Sequence, residues 1–340
     1  MEYRVLGNTG VRVSRFGLGT MVLGAWGNQD RAACLRIINQ AIDAGINLVD
    51  TADVYAFGEN EEIVGEAIRG RRDDLVLATK FHNPLGTDEP NRRGNSRRWI
   101  MTAIDDSLRR LGVDHVDLYQ IHRPDPLTPI EETVGALDDL VRAGKIRYWG
   151  TSTFPAADLV EARWAAERRG MNGPHTEQPP YSIFTRGIEA DVLPACRRHG
   201  LGVITWSPLS GGWLTGKYTT ASAGGAPPAG SRGATQPDHF DGGNPAKAEA
   251  AVALEKVAAD AGLSLTHMAL AWATTHPAIS SVLLGPKTED QLADLLGAAD
   301  VVLDAGTLDA IDAIVPPGVD INPGDAGYTP PGLDVVARRR

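Results

Sequence analysis

Short runs rich in Leu, Val and Ile alternate along the chain with longer stretches whose apolar residues recur at helical spacing. The runs fall at 16–20, 47–50, 75–80, 116–122, 148–153, 175–178, 202–207 and 281–285. Each is bounded by polar residues, which is how a parallel strand buried on both faces reads. Between them, stretches such as RAACLRIINQAIDAG, IMTAIDDSLRRLG and IEETVGALDDLVRAG close on a glycine that reads as a helix C-cap. Alternating strand and helix predicts an α/β fold with a parallel sheet, and eight repeats allow that sheet to close into a (β/α)8 barrel. Ahead of the first run, RVL and RVSRFG flank GNTG, a β-hairpin candidate placed to plug the bottom of such a barrel.

Two stretches break the pattern. Residues 219–245, TTASAGGAPPAGSRGATQPDHFDGGNP, replace hydrophobic periodicity with Gly, Ala, Pro and Ser. An insertion of that length in a compact domain is a mobile lid or a disordered segment, and its place after the seventh strand suits a cover over a bound cofactor. The tail, 314–340, is proline-rich and irregular. Residues 1–340 otherwise read as a single domain.

Composition narrows the function classes. With 42% hydrophobic residues among 340, the chain can bury a large core, while a net charge of −10 argues against a nucleic-acid partner, which needs a concentrated basic surface. The arginine pairs, such as Arg71-Arg72 and Arg109-Arg110, read as solvated helix ends. Cys34 and Cys196 suggest neither a disulfide framework nor a metal pattern, and the histidines show no metal spacing. The opening MEYRVLG holds no apolar signal core, and no apolar run approaches the roughly 20 residues of a membrane span. A cytoplasmic protein without a membrane partner or resident metal is expected.

The chemistry concentrates at the ends of three consecutive runs: Asp50 and Tyr55 after INLVD, Lys80 closing DLVLATK, and His122 closing VDLYQIH. In a parallel barrel those ends converge on one mouth. A phenol of ordinary pKa about 10 is a poor acid near neutrality unless a cation stabilises its phenolate. Lys80 supplies the cation, Asp50 keeps that lysine charged, and His122 orients the reacting oxygen. Such a site protonates a carbonyl oxygen while hydride arrives from elsewhere.

The segments NLVDTADVY, LATKF and LYQIHRPD closely resemble those of the aldo-keto reductases, nicotinamide-dependent carbonyl reductases on a TIM barrel. The likeness runs from about Tyr3 to Leu296. The opening YRVLGNTGVRVSRFGLGTM and the later GENEEIVGEAI are most similar to the bacterial and potassium-channel β-subunit-like branch. The resemblance implies that Tyr55 is the general acid, that Lys80 and Asp50 lower its pKa, and that His122 orients the carbonyl of a small-molecule substrate.

It also implies a cofactor site, NADPH with NADH possible, since no GxGxxG follows the first strand and a Rossmann reading fails. Ser152, Thr153 and Gln178 match the positions that bind the nicotinamide carboxamide, and Trp206 the aromatic on which its ring stacks. Ser207, Pro208, Leu209, Ser210, Gly212 and Lys217 match the pyrophosphate loop. Lys287 and Thr288, at a helix N-terminus suited to an anion, match the 2′-phosphate site, with Gln291 and Asp294 toward ribose and adenine. Gly19, Thr20, Asp50 and Gly285 complete the set. Two positions depart from the family pattern: Thr153 and Leu295 stand where asparagine is usual. Trp26 and Phe57, in the first two strand-to-helix loops, are candidates for the substrate pocket. The branch also raises a different class of function, a redox-sensing regulatory subunit that holds cofactor and turns over slowly. A weaker rival is an isomerase or lyase needing no nicotinamide. An oligomer is possible but no dedicated segment indicates one.

Overall fold

The computed structural model describes residues 1–86, 89–218, 226–235 and 244–333. Strands β1 (Tyr3–Val5) and β2 (Arg12–Ser14) form an antiparallel hairpin in which Tyr3 faces Ser14. Eight parallel strands follow: β3 (Phe16–Gly19), β4 (Leu48–Asp50), β5 (Val76–Phe81), β6 (Val116–Ile121), β7 (Ile146–Thr151), β8 (Thr176–Glu177), β9 (Gly202–Thr205) and β10 (Ile279–Leu284). Each pairs with the next in chain order and β10 pairs with β3, closing the barrel. The fold is the expected (β/α)8 TIM barrel with its N-terminal hairpin. The sixth barrel strand is the shortest, only Thr176–Glu177 within the expected 175–178.

Helices α1 (Arg31–Asp43), α2 (Glu59–Ala67), α3 (Arg97–Leu111), α4 (Ile130–Arg142), α5 (Ala156–Glu167) and α6 (Val192–His199) wrap the outside. Local sequence starts and stops them. The Asp30 side chain accepts from Ala33 N at the head of α1, Ser96 accepts from Trp99 N at the head of α3, and Gly112 ends α3 in a left-handed conformation. On α3, Ile100, Ala103, Ile104, Ser107, Leu108 and Leu111 are buried, the three-and-four spacing that lays one face against the sheet. Later come α7 (Pro245–Asp260), α8 (Leu265–Ala273), α9 (Glu289–Leu296) and α10 (Ala305–Ile314).

Inside the barrel, Leu6 and Val13 of the hairpin region join Leu48, Val76, Leu118, Ile204 and Leu283 in one apolar cluster. The hairpin thus plugs the bottom. Its turn approaches β9 so closely that a Cβ on Gly7 would lie 2.4 Å from Gly202 N, which leaves glycine as the residue that fits.

The irregular stretches differ from expectation at their edges. Pro245 was expected inside the loop, yet it opens α7: Asn244 accepts from Ala246 N and Lys247 N, and proline occupies the first turn, where its missing N–H has no helical partner to lose. Of the stretch before it, 226–235 carries one helical turn, Arg232–Thr235, while 219–225 and 236–243, on which the lid expectation mostly falls, lie outside the described residues. Beyond α10 the described tail contains two short 3-10 turns, Pro323–Ala326 and Pro331–Leu333, and an isolated bridge from Asp320 to Thr185. It is tied down by Arg186, which contacts Asp312 at 2.7 Å and Val315 O at 2.6 Å, and by Ile321 N donating to Phe184 O at 2.9 Å. Cys34 and Cys196 are buried free thiols. Among the described residues no helix is long and apolar enough to cross a membrane, and no cluster of His, Cys, Asp or Glu is disposed to hold a metal.

Candidate active site

Register brings the catalytic candidates to one end. Asp50 closes β4 opposite Ala78, Lys80 on β5 pairs with Gln120 on β6, and His122 follows β6. Lys80 is fully buried, and its Nζ donates to Asp50 Oδ1 at 2.5 Å, Thr51 O at 2.8 Å and Tyr55 Oη at 3.2 Å. All three ammonium protons therefore have acceptors. The other Asp50 oxygen accepts from Gln178 Nε2 at 2.8 Å and Gln120 Nε2 at 3.3 Å. Burial works against the Lys80 charge, but the facing Asp50 carboxylate and the Tyr55 phenol outweigh it, and the lysine pKa is raised. It stays an ammonium.

Tyr55 corrects one expectation. Burial is the largest influence and drives the phenol up; Lys80 pulls it down, Asp50 pushes it up, and Arg123 adds a smaller downward pull. The net direction is upward. Asp50 helps the phenolate only through Lys80, and the phenol remains protonated at neutral pH, the state a proton donor needs.

His122 meets Tyr55 edge to face, ring centroids 5.8 Å apart. Burial first, then Lys80, Arg123 and His82, push its pKa well below the ordinary histidine value, so the ring is neutral. Asn83 Nδ2 lies 3.1 Å from His122 Nδ1. With the amide donating there, the imidazole proton resides on Nε2. Three residues of this network, Gln120, Asn83 and Arg123, escaped the sequence reading. Gln120 leaves a signal, a polar residue inside the apolar run VDLYQI and in register with Lys80; Asn83 and Arg123 leave none beyond lying within three residues of candidates.

Strain gathers at the same rim. Ala56, Phe57, His82, Thr153, Ser207 and Ser210 all have positive φ, and each lies in a segment that follows a barrel strand. Non-glycine residues persist in that region when their surroundings enforce it, commonly at binding sites. Trp26, half-buried, sits 6.0 Å from the Tyr55 ring and 5.7 Å from Phe57, which is 60% exposed. An aromatic wall thus stands beside the phenol.

The expected cofactor positions fall into three groups. Ser152 Oγ and Trp206 Nε1 both donate to Gln178 O, at 2.8 and 3.2 Å, and Thr153 Oγ1 donates to Ser152 O at 2.6 Å. The tail crosses beside them: a Cβ on Gly327, at φ +78, would lie 2.9 Å from the Trp206 ring. In the second group, the segment from Ser207 to Gly212 turns through left-handed Ser207, Ser210, Gly211 and Gly212. The amides of Ser207 and Leu209 meet no hydrogen-bond acceptor among the described residues, as an anion-binding nest requires. Pro208 is buried, whereas Lys217 is exposed.

At the head of α9, the third group, Thr288 Oγ1 accepts from Gln291 N at 3.2 Å and Gln291 Oε1 accepts from Lys287 N at 2.8 Å. Thr288 and Gln291 thus form a reciprocal cap, Asp294 contacts His267 at 3.2 Å, and the Lys287 ammonium makes no ion pair among the described residues. Gly19 ends β3, and nothing stands within 4 Å of where a Gly285 Cβ would be. Thr20 is different: its buried hydroxyl lies 2.9 Å from Asp50 O and 2.7 Å from Asn60 Oδ1, so its side chain braces the strand end and is not open to a ligand.

The chain is similar to several known proteins over much of its length. A protein of rice (Oryza sativa subsp. japonica) named a probable voltage-gated potassium channel subunit beta is 39% identical over 93% of this chain and 97% of its own length. The Bacillus subtilis oxidoreductase YrpG is also 39% identical, over 97% of this chain and 98% of its own. The aldo-keto reductase YhdN of the same bacterium is 42% identical over 64% of this chain and 65% of its own. Residues 15–316 match the aldo/keto reductase family, and the chain belongs to that family of oxidoreductases.

Proposed function

We propose that the protein reduces an aldehyde or ketone to the alcohol with NADPH, reversibly, with Tyr55 as general acid. The observation that carries this reading is the Lys80 ammonium, bonded at once to Asp50 at 2.5 Å and to Tyr55 Oη at 3.2 Å. Tyr55 passes its proton to the carbonyl oxygen. Lys80 stabilises the phenolate left behind, and Asp50 keeps Lys80 charged despite its burial. His122, neutral with Nε2–H, donates a hydrogen bond to the same oxygen and fixes its direction. A nicotinamide held there would supply hydride from its C4 in reduction and would accept it in alcohol oxidation.

The chain's own groups suit that cofactor. Ser152, Thr153 and Gln178 would hold the carboxamide and Trp206 would carry the ring. The nest from Ser207 to Gly212, with Lys217, would take the pyrophosphate; its left-handed turns support this, as do the amides of Ser207 and Leu209, which meet no acceptor among the described residues. Lys287, at the head of α9, would face the 2′-phosphate, with Gln291 and Asp294 toward the adenosine. Trp26 and Phe57 would line the substrate entrance beside Tyr55.

A second reading, a cofactor-binding regulatory subunit with slow turnover, draws on the rice and Arabidopsis relatives named as channel β-subunits. One experiment separates the two. Purified protein is titrated with NADPH and then NADH by fluorescence, and NADPH consumption is followed over a panel of aldehydes, keto-sugars and ketosteroids. Tight NADPH binding with turnover is expected. Binding without turnover favours the regulatory subunit, and no binding of either cofactor overturns both.

A further inference from the structure

We propose that Arg123 is an anion-recognition residue of the substrate site, so that the preferred substrates are aldehydes or ketones bearing a carboxylate or phosphate. The inference rests on the reductase reading and narrows its substrate class. Arg123 follows His122 directly at the end of β6 and is half-buried. Its guanidinium carbon lies 5.9 Å from the centre of the Trp206 ring, and its charge acts on the Tyr55 phenol. The cation therefore stands between the proposed proton donor and the proposed nicotinamide platform, beside the place a carbonyl would occupy.

No carboxylate among the described residues neutralises its charge. Among the described residues the guanidinium makes a single hydrogen bond, Nη1 to His122 O at 2.6 Å, and no ion pair, so Nε and Nη2 have no partner. Arginines similarly withdrawn from solvent elsewhere in the molecule do have carboxylates: Arg110 meets Glu61 at 2.7 Å, and Arg186 meets Glu189 at 3.0 Å and Asp312 at 2.7 Å.

Two carboxyls near Arg123 are otherwise engaged. Asp125 accepts from Asn95 N at 2.9 Å, Thr128 Oγ1 at 2.7 Å and Leu127 N at 3.0 Å. Glu177 is wholly buried, bonded to Thr151 and Phe154 N, and burial pushes its pKa up to about 8, so it is mostly uncharged at neutral pH. An unpaired guanidinium held partly out of water is unfavourable, and its planar fork matches a carboxylate or phosphate.

Two substrate pairs differ by one anion: benzaldehyde against 4-carboxybenzaldehyde, and glyceraldehyde against glyceraldehyde 3-phosphate. In the unmodified protein with NADPH, kcat/KM is expected to favour the charged member of at least one pair by about 10- to 100-fold, mainly through KM. Preference in one pair alone identifies the anion as carboxylate or phosphate. Arg123→Gln is expected to bring that ratio near one, with a smaller loss on the neutral member. Where Gln is not tolerated by the fold, Arg123→Lys keeps the charge but not the fork and should cut the ratio several-fold.

A ratio near one in the unmodified protein, or one that either folded variant leaves unchanged, overturns the proposal and spares the reductase reading. So does a loss of NADPH affinity in Arg123→Gln at constant ratio, which would assign the cation to the cofactor. Turnover of neither member of either pair overturns the proposal, while the reductase reading stands or falls on the wider panel of aldehydes, keto-sugars and ketosteroids.

Discussion

The two ends of this barrel are built on opposite principles. At the bottom, Leu6, Val13, Leu48, Val76, Leu118, Ile204 and Leu283 fill the interior with hydrocarbon, a non-directional arrangement in which many side chains of similar volume serve. At the top, β4, β5 and β6 carry Asp50, Lys80 and Gln120, with Gln178 just beyond β8 and His122 just beyond β6, all of them buried. There burial is tolerated only because each polar group has a partner, and the rim residues Ala56, Phe57, Thr153, Ser207 and Ser210 adopt left-handed backbone. One end holds the barrel closed and the other spends burial on chemistry. Changes at the top should therefore alter function out of proportion to stability, and changes at the bottom the reverse.

The largest expected effect is at Tyr55. Tyr55→Phe removes the proposed proton donor and leaves the groups proposed to face the cofactor, so NADPH titration should be unchanged while carbonyl reduction falls by about 10²- to 10⁴-fold. Retained activity would remove the general-acid assignment. Lys80→Met comes next and affects both properties, because it strands Asp50 as a buried carboxylate. Urea unfolding should show a loss of about 3–5 kcal/mol together with lost turnover. A variant as stable as the parent would mean that the pair is solvated in solution.

Leu118→Ala probes the apolar layer beneath the mouth, two residues before Gln120 on β6. Leu118 is 1% exposed, and its truncation should cost about 2–5 kcal/mol while leaving kcat per folded molecule unchanged. A fall in kcat would show that the plug and the mouth are coupled.

Much of this contrast was legible in the chain. Buried parallel strands are continuous apolar runs, so eight of them stand out, and polar residues at their ends point to the mouth. Pairing across strands was not legible: nothing in the spacing says that Gln178, 128 positions from Asp50, donates to its carboxylate. Nor does a single sequence show that Gly327 brings the tail against Trp206, since a proline-rich segment carries no period from which to place it. Pro245 misled for the opposite reason. Read as loop punctuation, it begins a helix because Asn244 caps the turn before it. An arginine in HRPD carries no local mark of its partners; only the surroundings show that Arg123 meets no carboxylate among the described residues.

The most discriminating change is at Glu177, where the top of the barrel buries a carboxyl that makes no ion pair among the described residues. Burial raises its pKa from 4.5 to about 8. Thr151 Oγ1 lies beside one of its oxygens and also 3.3 Å from Thr176 O. A protonated Glu177 donates to Thr151, whose own proton then goes to Thr176 O. The folded protein thus keeps a proton that the unfolded chain releases above pH 4.5, and stability from this group is full below that pH and lost as pH rises toward 8, by up to about 1.4 kcal/mol per pH unit. His122 acts with the opposite sign: its pKa is lowered, the unfolded chain takes up a proton that the folded protein refuses, and stability falls as pH drops below about 6.5. Glu177→Gln copies the protonated form, with its amide donating to Thr151 and its carbonyl accepting from Phe154 N. Thermal melting from pH 4.5 to 8 should show parent and variant together at the acid end and the variant progressively more stable toward pH 8. Parallel curves across that range would mean that Glu177 is already ionised in the fold, and Arg123 would then have a charged neighbour after all.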